Sequence, residues 1–169
     1  KLNQILAEGV YDPGIFKAFF LAGGPGSGKT FVTQSSFAGT GLKVVNSDKA
    51  FEMGLKKANL SLKMPDEEEY FRNIIRQRAK TLTSSILDTY VKGRLGLVID
   101  ATGRDLSMIQ RQHGLLTNLG YDCHMIFVNT SLDVALERNR NRPRSIPEYI
   151  VTNSWNGVQS NIGQFQRIF

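Results

Sequence analysis

The segment LAGGPGSGKT, residues 21–30, constrains the fold of this chain more than any other part of its sequence. It follows the apolar run KAFFLA and precedes FVTQSSF, which can continue as a helix. The pattern G-x-x-x-x-G-K-[ST], placed between a strand and a helix, indicates a phosphate-binding loop, the P-loop. Here it is formed by Gly23, Gly28, Lys29 and Thr30. An ordinary glycine turn with a chance lysine is disfavoured, because the whole pattern matches in that context.

Glycines suit this loop because a phosphate chain needs backbone N–H groups that point inward with no Cβ in the way. The N-terminus of the following helix adds unpaired N–H groups and a partial positive charge. Lys29 supplies a full charge for the β and γ phosphates, and the Thr30 hydroxyl can coordinate Mg²⁺. We therefore predict a site for ATP and Mg²⁺ that is lined by Gly24, Gly26, Ser27, Gly28, Lys29 and Thr30.

Four short apolar runs predict buried strands, because each run is apolar on both faces and is closed by turn or polar residues. They lie at residues 17–22, 42–47, 95–100 and 123–129. Segments with helical spacing separate the runs, and this alternation predicts a parallel sheet packed between helices. A chain of 169 residues with 41% hydrophobic content can bury one sizeable core. We therefore predict a single domain over residues 1–169.

Charge and cysteine content limit the classes of binding partner and the cellular compartment that suit this chain. The formal charge of +6 favours anionic partners such as nucleotides or nucleic acids. The single Cys123 rules out an internal disulfide framework and fits a reducing compartment. Because no apolar run approaches the roughly 18 residues that span a bilayer, and residues 1–10 lack a secretory hydrophobic core, we expect a soluble cytoplasmic protein. The spacing of Leu2, Ile5 and Leu6 predicts a short packing helix.

Two carboxylates follow predicted strands at the edge where the ligands of parallel sheets gather. Asp100 ends the run LGLVID and can hold Mg²⁺ directly or through water, whereas Thr102 or Asp105 better suits the competing role of helix cap. Asp48 follows the second strand in NSD and can take the proton of an acceptor hydroxyl as a general base. As an isolated motif, NSD suits a helix cap equally well. Asn46 and Thr102, at strand ends, can also line the site.

Four arginines alternate through ALERNRNRPRSIPE, residues 135–148, where only Glu137 and Glu148 offer nearby carboxylates. They are Arg138, Arg140, Arg142 and Arg144. Guanidinium groups that close over a transferring phosphoryl group stabilise its extra charge. Pro143 and Pro147 should break the preceding helix, which predicts a mobile arginine-bearing cover over the nucleotide. A nucleic-acid-binding patch is the competing interpretation.

The longest helical segment begins near Pro65 and ends near Lys92, where Gly93 stops it. Acidic residues in its first turn complement the helix dipole. Its apolar residues recur every three or four positions and are expected to face the sheet: Ile75, Ala79, Leu82, Ile86 and Tyr90. A basic stripe on another face is either a solvated surface or a contact with an anionic substrate: Arg72, Arg76 and Lys80.

Four motifs, GGPGSGKT, VVNSD, LVIDATG and LERNRNRPRSIPE, resemble in order and spacing those of the P-loop kinases of the polynucleotide kinase and zeta toxin group. The resemblance covers residues 17–150. It implies a three-layer α/β/α P-loop NTPase fold with a parallel sheet of four or five strands and an arginine-rich lid. A fifth strand would follow the helix after the lid. The sequence ends at QFQRIF soon after that helix, so we expect the fifth strand to be either cut away or absent.

The resemblance also implies roles for individual residues. Lys29 would contact the ATP phosphates, Asp48 would be the general base, and the cluster from Arg138 to Arg144 would form the lid. Polynucleotide kinases usually carry a second charged residue and a nearby arginine just after the base. In this chain the tripeptide KAF follows Asp48, which leaves the identity of the acceptor open.

The expected function is therefore that of an ATP-dependent kinase that transfers the γ-phosphate to a hydroxyl. The acceptor classes are a nucleic acid 5′ end, a nucleotide and a nucleotide sugar. The expected catalytic residues are Asp48, Lys29, Arg138 and Arg142. The alternative is a nucleotide-dependent nucleic-acid-binding module without kinase activity.

Overall fold

A central parallel sheet organises the computed structural model, which describes residues 16–169. In chain order its strands are β1 (Lys17–Ala22), β2 (Lys43–Val45), β3 (Leu97–Asp100) and β4 (Asp122–Phe127). The spatial order is β2-β3-β1-β4, with every neighbouring pair parallel. Each strand overlaps the apolar run that predicts it, so the predicted parallel sheet is confirmed. The helix predicted for residues 2–6 lies outside the described residues.

Six α-helices connect and cover these strands within residues 16–169. They are α1 (Lys29–Phe37), α2 (Ser47–Lys57), α3 (Glu69–Lys92), α4 (Leu106–Asn118), α5 (Leu132–Arg140) and α6 (Glu148–Ile168). A 3₁₀ turn at Asp66–Glu68 precedes α3, and Gly93 caps that helix as predicted. In this part of the chain, no helix has both the length and the apolar character required to cross a membrane. A cytoplasmic location stays a prediction.

Neighbouring residues of β1 pack on opposite faces of the sheet, which gives the fold its three layers. The ring of Phe20 lies 5.1 Å from that of Phe169, in the core cluster that α4 and α6 cover with Ile109, Leu116 and Phe165. The ring of Phe19 points the other way and lies 5.1 Å from Phe37 of α1. The predicted α/β/α architecture is therefore confirmed.

The apolar face of α3 does not pack on the sheet along its whole length. Its 24 residues span about 36 Å, whereas the neighbouring strands β2 and β3 are much shorter. Only the last turns reach the sheet, where Leu87, Tyr90 and Val91 pack on the core cluster. Ile75 and Ala79 pack instead against α2, and Leu82 is 52% exposed. The prediction that the whole stripe faces the sheet is therefore wrong for its first half.

A second core cluster joins α2 to α3, and a glycine permits their close approach. Phe51 and Leu55 of α2 pack with Ala79 of α3 in this cluster. A Cβ atom on Gly54 would collide with the Cγ2 methyl group of Ile75, so the helices could not lie as close with any larger residue at position 54. This contact matters for the site described below, because α2 carries Asp48.

We expect Gly54→Ala and Gly114→Ala to change stability in opposite directions. Both glycines lie inside helices, where alanine is intrinsically favoured by about 0.5–1 kcal/mol. A Cβ atom at Gly114 would meet no atom within 4 Å, so that variant should be stabilised. Gly54→Ala overpacks the contact with Ile75 and should be destabilised by about 1–3 kcal/mol. Urea unfolding followed by circular dichroism measures both, and equal stabilisation would contradict the close packing of α2 on α3.

Candidate active site

The P-loop connects β1 to α1 and packs against α5 and α6. Gly26 has φ 82° and Gly28 has φ 103°, values that favour glycine, and a Cβ atom on Gly26 would collide with the backbone of Ala135 in α5. Gly28 caps α1 without a side-chain hydrogen bond, which leaves backbone N–H groups of the first turn for a ligand. The buried hydroxyl of Ser27 has no partner among the described residues. These features suit an anion at the loop.

Lys29 folds back over the P-loop. Its Nζ donates hydrogen bonds to the carbonyl oxygens of Gly23 at 2.6 Å and of Gly24 at 3.2 Å. Burial lowers the pKa of Lys29, and the carboxylates of Asp100 and Asp48 oppose that shift. The ammonium group is therefore placed over the loop backbone, with two carboxylates near enough to influence it.

Asp100 lies at the end of β3, and Asn46 joins it to the start of α2. The Asn46 Nδ2 donates to Asp100 Oδ2 at 2.6 Å, and the Asn46 Oδ1 accepts from the backbone N–H of Asp48 at 2.6 Å. Asn46 is thus the N-cap of α2, in agreement with the helix-capping interpretation of the NSD motif, and it also holds Asp100 in place. Asp105 caps α4 by accepting from the Met108 backbone N–H at 3.0 Å, so Asp100 has no capping role there.

Asp48 lies in the first turn of α2 and forms ion pairs with two arginines. Its Oδ1 accepts a hydrogen bond from Arg76 at 2.8 Å, and its Oδ2 lies 3.0 Å from the guanidinium of Arg144. Burial raises the pKa of Asp48, but the charges and hydrogen bonds of Arg144 and Arg76 outweigh it and hold the pKa below its ordinary value. Asp48 is therefore a carboxylate at neutral pH, as a general base must be.

The four alternating arginines have different surroundings. Arg138 donates to the carbonyl oxygens of Gly26 and Ser27, both at 3.3 Å, and so touches the P-loop directly. Arg144 binds Asp48, and the charge of Arg142 lowers the pKa of both Lys29 and Asp100. Arg140 instead forms an exposed ion pair with Glu148 at 2.6 Å. Three of the four therefore lie at the candidate site, and Arg140 does not.

Hydrogen bonds and packing hold both ends of the arginine-bearing segment between α5 and α6 in place. The buried Asn139 side chain donates to the Ile146 carbonyl at 2.7 Å and accepts from the Ile146 N–H at 3.1 Å. Ile146 packs on the α2–α3 cluster, and Lys63 Nζ donates to the Arg142 carbonyl at 3.3 Å. The helix break predicted from the prolines is confirmed, because α5 ends at Arg140 and Pro147 caps α6. The predicted mobility of this cover stays a prediction.

The donors near the P-loop suit Mg²⁺, although they do not form a complete site. Thr30 offers an exposed hydroxyl and Asp100 a half-buried carboxylate, both of which are the hard oxygen ligands that Mg²⁺ prefers. Burial raises the pKa of Asp100, while the nearby charge of Lys29 opposes the shift. Residues 16–169 contain no group of three His, Cys, Asp or Glu side chains that could hold a metal. Phosphate oxygens would have to supply further ligands.

Most of these residues are predictable from the sequence, but two of their contacts are not. Asn46, Asp48, Asp100 and Lys29 converge as their strand-end positions predict. Nothing in the sequence indicates that Arg76 and Arg144 bind the same carboxylate, because this contact depends on how α3 and the segment between α5 and α6 pack against α2. The sequence signal closest to these contacts is the basic stripe of α3, which includes Arg76 and which suits either a solvated surface or contact with an anionic substrate.

Comparisons with known proteins bear on the family and the fold of this chain. The sequence pattern of a family described as "AAA domain" matches residues 19–164. No curated protein sequence matches the chain significantly. Among solved structures, a chain of the Pnkp1/Rnl/Hen1 RNA repair complex is similar with a TM-score of 0.67 and 20% identity, over 90% of this chain and 47% of that chain.

Two further structures are similar at comparable levels. The AvrRxo1-ORF1:ORF2 complex with ATP gives a TM-score of 0.66 at 16% identity, over 89% of this chain and 49% of that one. A chain of the PezAT chromosomal toxin–antitoxin system of Streptococcus pneumoniae gives 0.64 at 17% identity, over 98% and 72%. The chain thus spans about half the length of the first two relatives.

At these identities the structures establish the fold, and the family pattern extends over most of the sequence. Both agree with the P-loop, the parallel sheet and the resemblance to P-loop kinases. The chain therefore belongs to the AAA domain family and has the fold of the P-loop kinases.

Proposed function

We propose that this chain is an ATP-dependent phosphotransferase that moves the γ-phosphate of ATP to a hydroxyl acceptor. The proposal rests mainly on the position of Asp48 next to the P-loop. Asn46 links the backbone N–H of Asp48 to the Asp100 carboxylate through two hydrogen bonds of 2.6 Å, and both carboxylates lie near Lys29. A base beside the P-loop lysine can act on a second substrate that lies next to the terminal phosphate. This arrangement suits phosphoryl transfer better than nucleotide binding alone.

The P-loop residues would hold the nucleotide. Backbone N–H groups of Gly26, Gly28, Lys29 and Thr30, in the loop and at the N-terminus of α1, face the phosphates. Lys29 exchanges its hydrogen bonds to the Gly23 and Gly24 carbonyls for phosphate oxygens. Ser27 gains the partner that its buried hydroxyl lacks among the described residues. Arg138, already bonded to the loop, adds a positive charge beside it.

Thr30 and Asp100 would hold Mg²⁺ together with the phosphates. When bound, the ion neutralises phosphate charge and orients the terminal phosphate. Asn46 fixes the orientation of Asp100 through its 2.6 Å hydrogen bond. The chain itself thus contributes one carboxylate and one hydroxyl, each held at the start or end of a regular element.

In the transfer step the acceptor oxygen forms a bond to the γ-phosphorus while the bond from that phosphorus to the β–γ bridging oxygen breaks. The acceptor hydroxyl gives its proton to Asp48, and ADP leaves with the electron pair of the broken bond. Arg138 and Arg142 stabilise the charge on the transferring group. Asp48 then returns its proton to solvent.

The acceptors that we propose are a nucleic acid 5′-hydroxyl, a nucleotide and a nucleotide sugar. Support comes from the basic character of the chain and from the basic residues near Asp48. One similar structure belongs to an RNA repair complex and another to a toxin–antitoxin system. The most direct test is a screen with ATP labelled at the γ-phosphate over these three acceptor classes. Nucleotide binding without transfer to any of them would contradict the proposal.

We expect Asp48→Asn to reduce phosphoryl transfer by about 10²- to 10⁴-fold while ATP affinity changes little, because the variant removes the proton acceptor and leaves the P-loop intact. Initial-rate kinetics and calorimetric titration with ATP measure the two quantities. Glu52→Gln is the matched control, since Glu52 lies on the same helix and pairs with Lys56. A parallel loss of affinity and rate in Asp48→Asn would show that Asp48 is not the base.

Lys29→Ala is expected to weaken Mg-ATP binding by about 10- to 100-fold, because a charge-assisted hydrogen bond contributes about 1.5–3 kcal/mol. Calorimetric titration of the folded variant measures this loss. Lys56→Ala removes an exposed lysine that pairs only with Glu52 among the described residues and should bind normally. Unchanged affinity in Lys29→Ala would remove the basis of the proposed nucleotide site.

Arg144→Gln should raise the pKa of Asp48, because it removes the largest influence that favours the charged carboxylate. Since the folded-state pKa lies below the ordinary value, the ion pairs stabilise the fold at neutral pH, and this contribution is lost as pH falls through the folded-state pKa. Carbon-13 NMR titration of the Asp48 carboxyl group measures the shift. Arg78→Gln, at an exposed residue of α3 that forms no ion pair among the described residues, should leave it unchanged. A pKa that does not move would mean that the Arg144 contact is not maintained in solution.

A further inference from the structure

A groove lies between α2 and α3, where two cavities of about 340 and 450 Å³ are open to solvent. Both cavities are lined by Ala58, Ile75 and Arg78, so they form one continuous surface. The lining includes no residue of the P-loop, and Asp48 and the four alternating arginines do not belong to it either. The groove is therefore built from residues that the proposed transfer reaction does not use.

The two walls of the groove carry apolar side chains of different size. The wall from α2 consists of small residues four positions apart, which are Ala50, Gly54 and Ala58. The wall from α3 carries large apolar side chains that are 60%, 37% and 52% exposed, which are Phe71, Ile74 and Leu82. Contiguous apolar surface that is left exposed in this way marks an interaction site more often than an ordinary protein surface.

The length of the groove suits a short helix. Phe71 and Leu82 are about 16 Å apart along α3, which corresponds to about three helical turns. The small residues of α2 leave room for the side chains of a third helix, and the large residues of α3 can pack between them. Amphipathic helices bind to grooves of this kind with apolar side chains at every third or fourth position.

The charges of the groove are all positive. Lys57 on α2 and Arg78 on α3 are the only charged residues in its lining, and neither forms an ion pair within residues 16–169. An occupant with acidic residues beside its apolar face would complement both cations. A second copy of this chain that presented the same surface would bring like charges together, which disfavours a symmetric pairing through the groove.

We propose that the groove between α2 and α3 is a docking site for an amphipathic helix of another protein, whose apolar face fills the groove and whose acidic residues pair with Lys57 and Arg78. The inference goes beyond the proposed function and does not depend on it. The surface suits a protein helix better than a nucleic acid strand, because Phe71 is the only aromatic residue in its lining and two cations cannot follow a phosphate backbone.

Two designed peptides test the inference. Each has about 15 residues and is held helical by a hydrocarbon staple, because free helices of that length are marginal in water. Both carry leucines along one face, and the flanking positions are glutamate in one peptide and lysine in the other. We expect the glutamate peptide to bind the complete chain at least about tenfold more tightly than the lysine peptide, a difference of about 1.4 kcal/mol. Fluorescence anisotropy of the labelled peptides measures both affinities.

Variants of the chain locate the binding. Leu82→Glu should weaken binding of the glutamate peptide at least about tenfold, because it places a charge in the apolar wall. Leu115→Glu is the matched control, since Leu115 is a similarly exposed leucine of α4 and should bind the peptide normally. The double variant Lys57→Glu/Arg78→Glu should reverse the preference between the two peptides. All of these positions are exposed, and circular dichroism checks that each variant is folded.

Several results would overturn the inference. Absence of binding by the glutamate peptide, equal binding of the two peptides, or unchanged affinity in Leu82→Glu would each do so. Self-association of the chain in sedimentation velocity that is lost in Leu82→Glu would assign the groove to a second copy instead. Binding of a single-stranded RNA oligonucleotide that Leu82→Glu abolishes would assign it to nucleic acid. None of these measurements involves phosphoryl transfer, so failure of this inference is distinguishable from failure of the proposed function.

Discussion

The parallel pairing of β1 with strands on both of its sides is the constraint on which the candidate site depends. Because β1 lies beside β3, the P-loop and Asp100 leave the sheet at the same edge. The parallel pairing of β2 with β3 brings Asn46 and Asp48 to that edge as well. Parallel strands thus collect side chains that are far apart in the sequence, and a few strong hydrogen bonds then fix their orientation.

The surroundings of the Asp48 carboxylate depend on helix packing rather than on strand order. The close approach of α2 and α3 at Gly54 brings Arg76 to Asp48. The segment between α5 and α6 is attached to the same two helices and brings Arg144 to Asp48. Electrostatic balance at Asp48 is therefore a property of three packed elements. The P-loop side of the candidate site is thus specified by local sequence, whereas the surroundings of Asp48 are specified by tertiary contacts.

The same difference explains what could be predicted from the sequence. The P-loop, the strands and the positions of Lys29, Asp48 and Asp100 follow from short local patterns with a fixed geometric meaning. The packing of α3 did not follow, because apolar periodicity shows that a helix has a buried face but not which element covers it. The sequence alone does not distinguish Arg140 from the other three arginines of its cluster, because its side-chain position depends on the direction in which α5 ends.

The hydrogen bonds between Asn139 and Ile146 have a consequence for how this protein can vary. They close the intervening segment into a ring whose ends are fixed to α5 and to the α2–α3 cluster. Insertions or deletions within this closed loop would change its exposed part without moving either helix. The free energy of loop closure changes little with loop length when the ends are held. The fold can thus accommodate new spacings of the arginines in this segment while the packing of the helices stays the same.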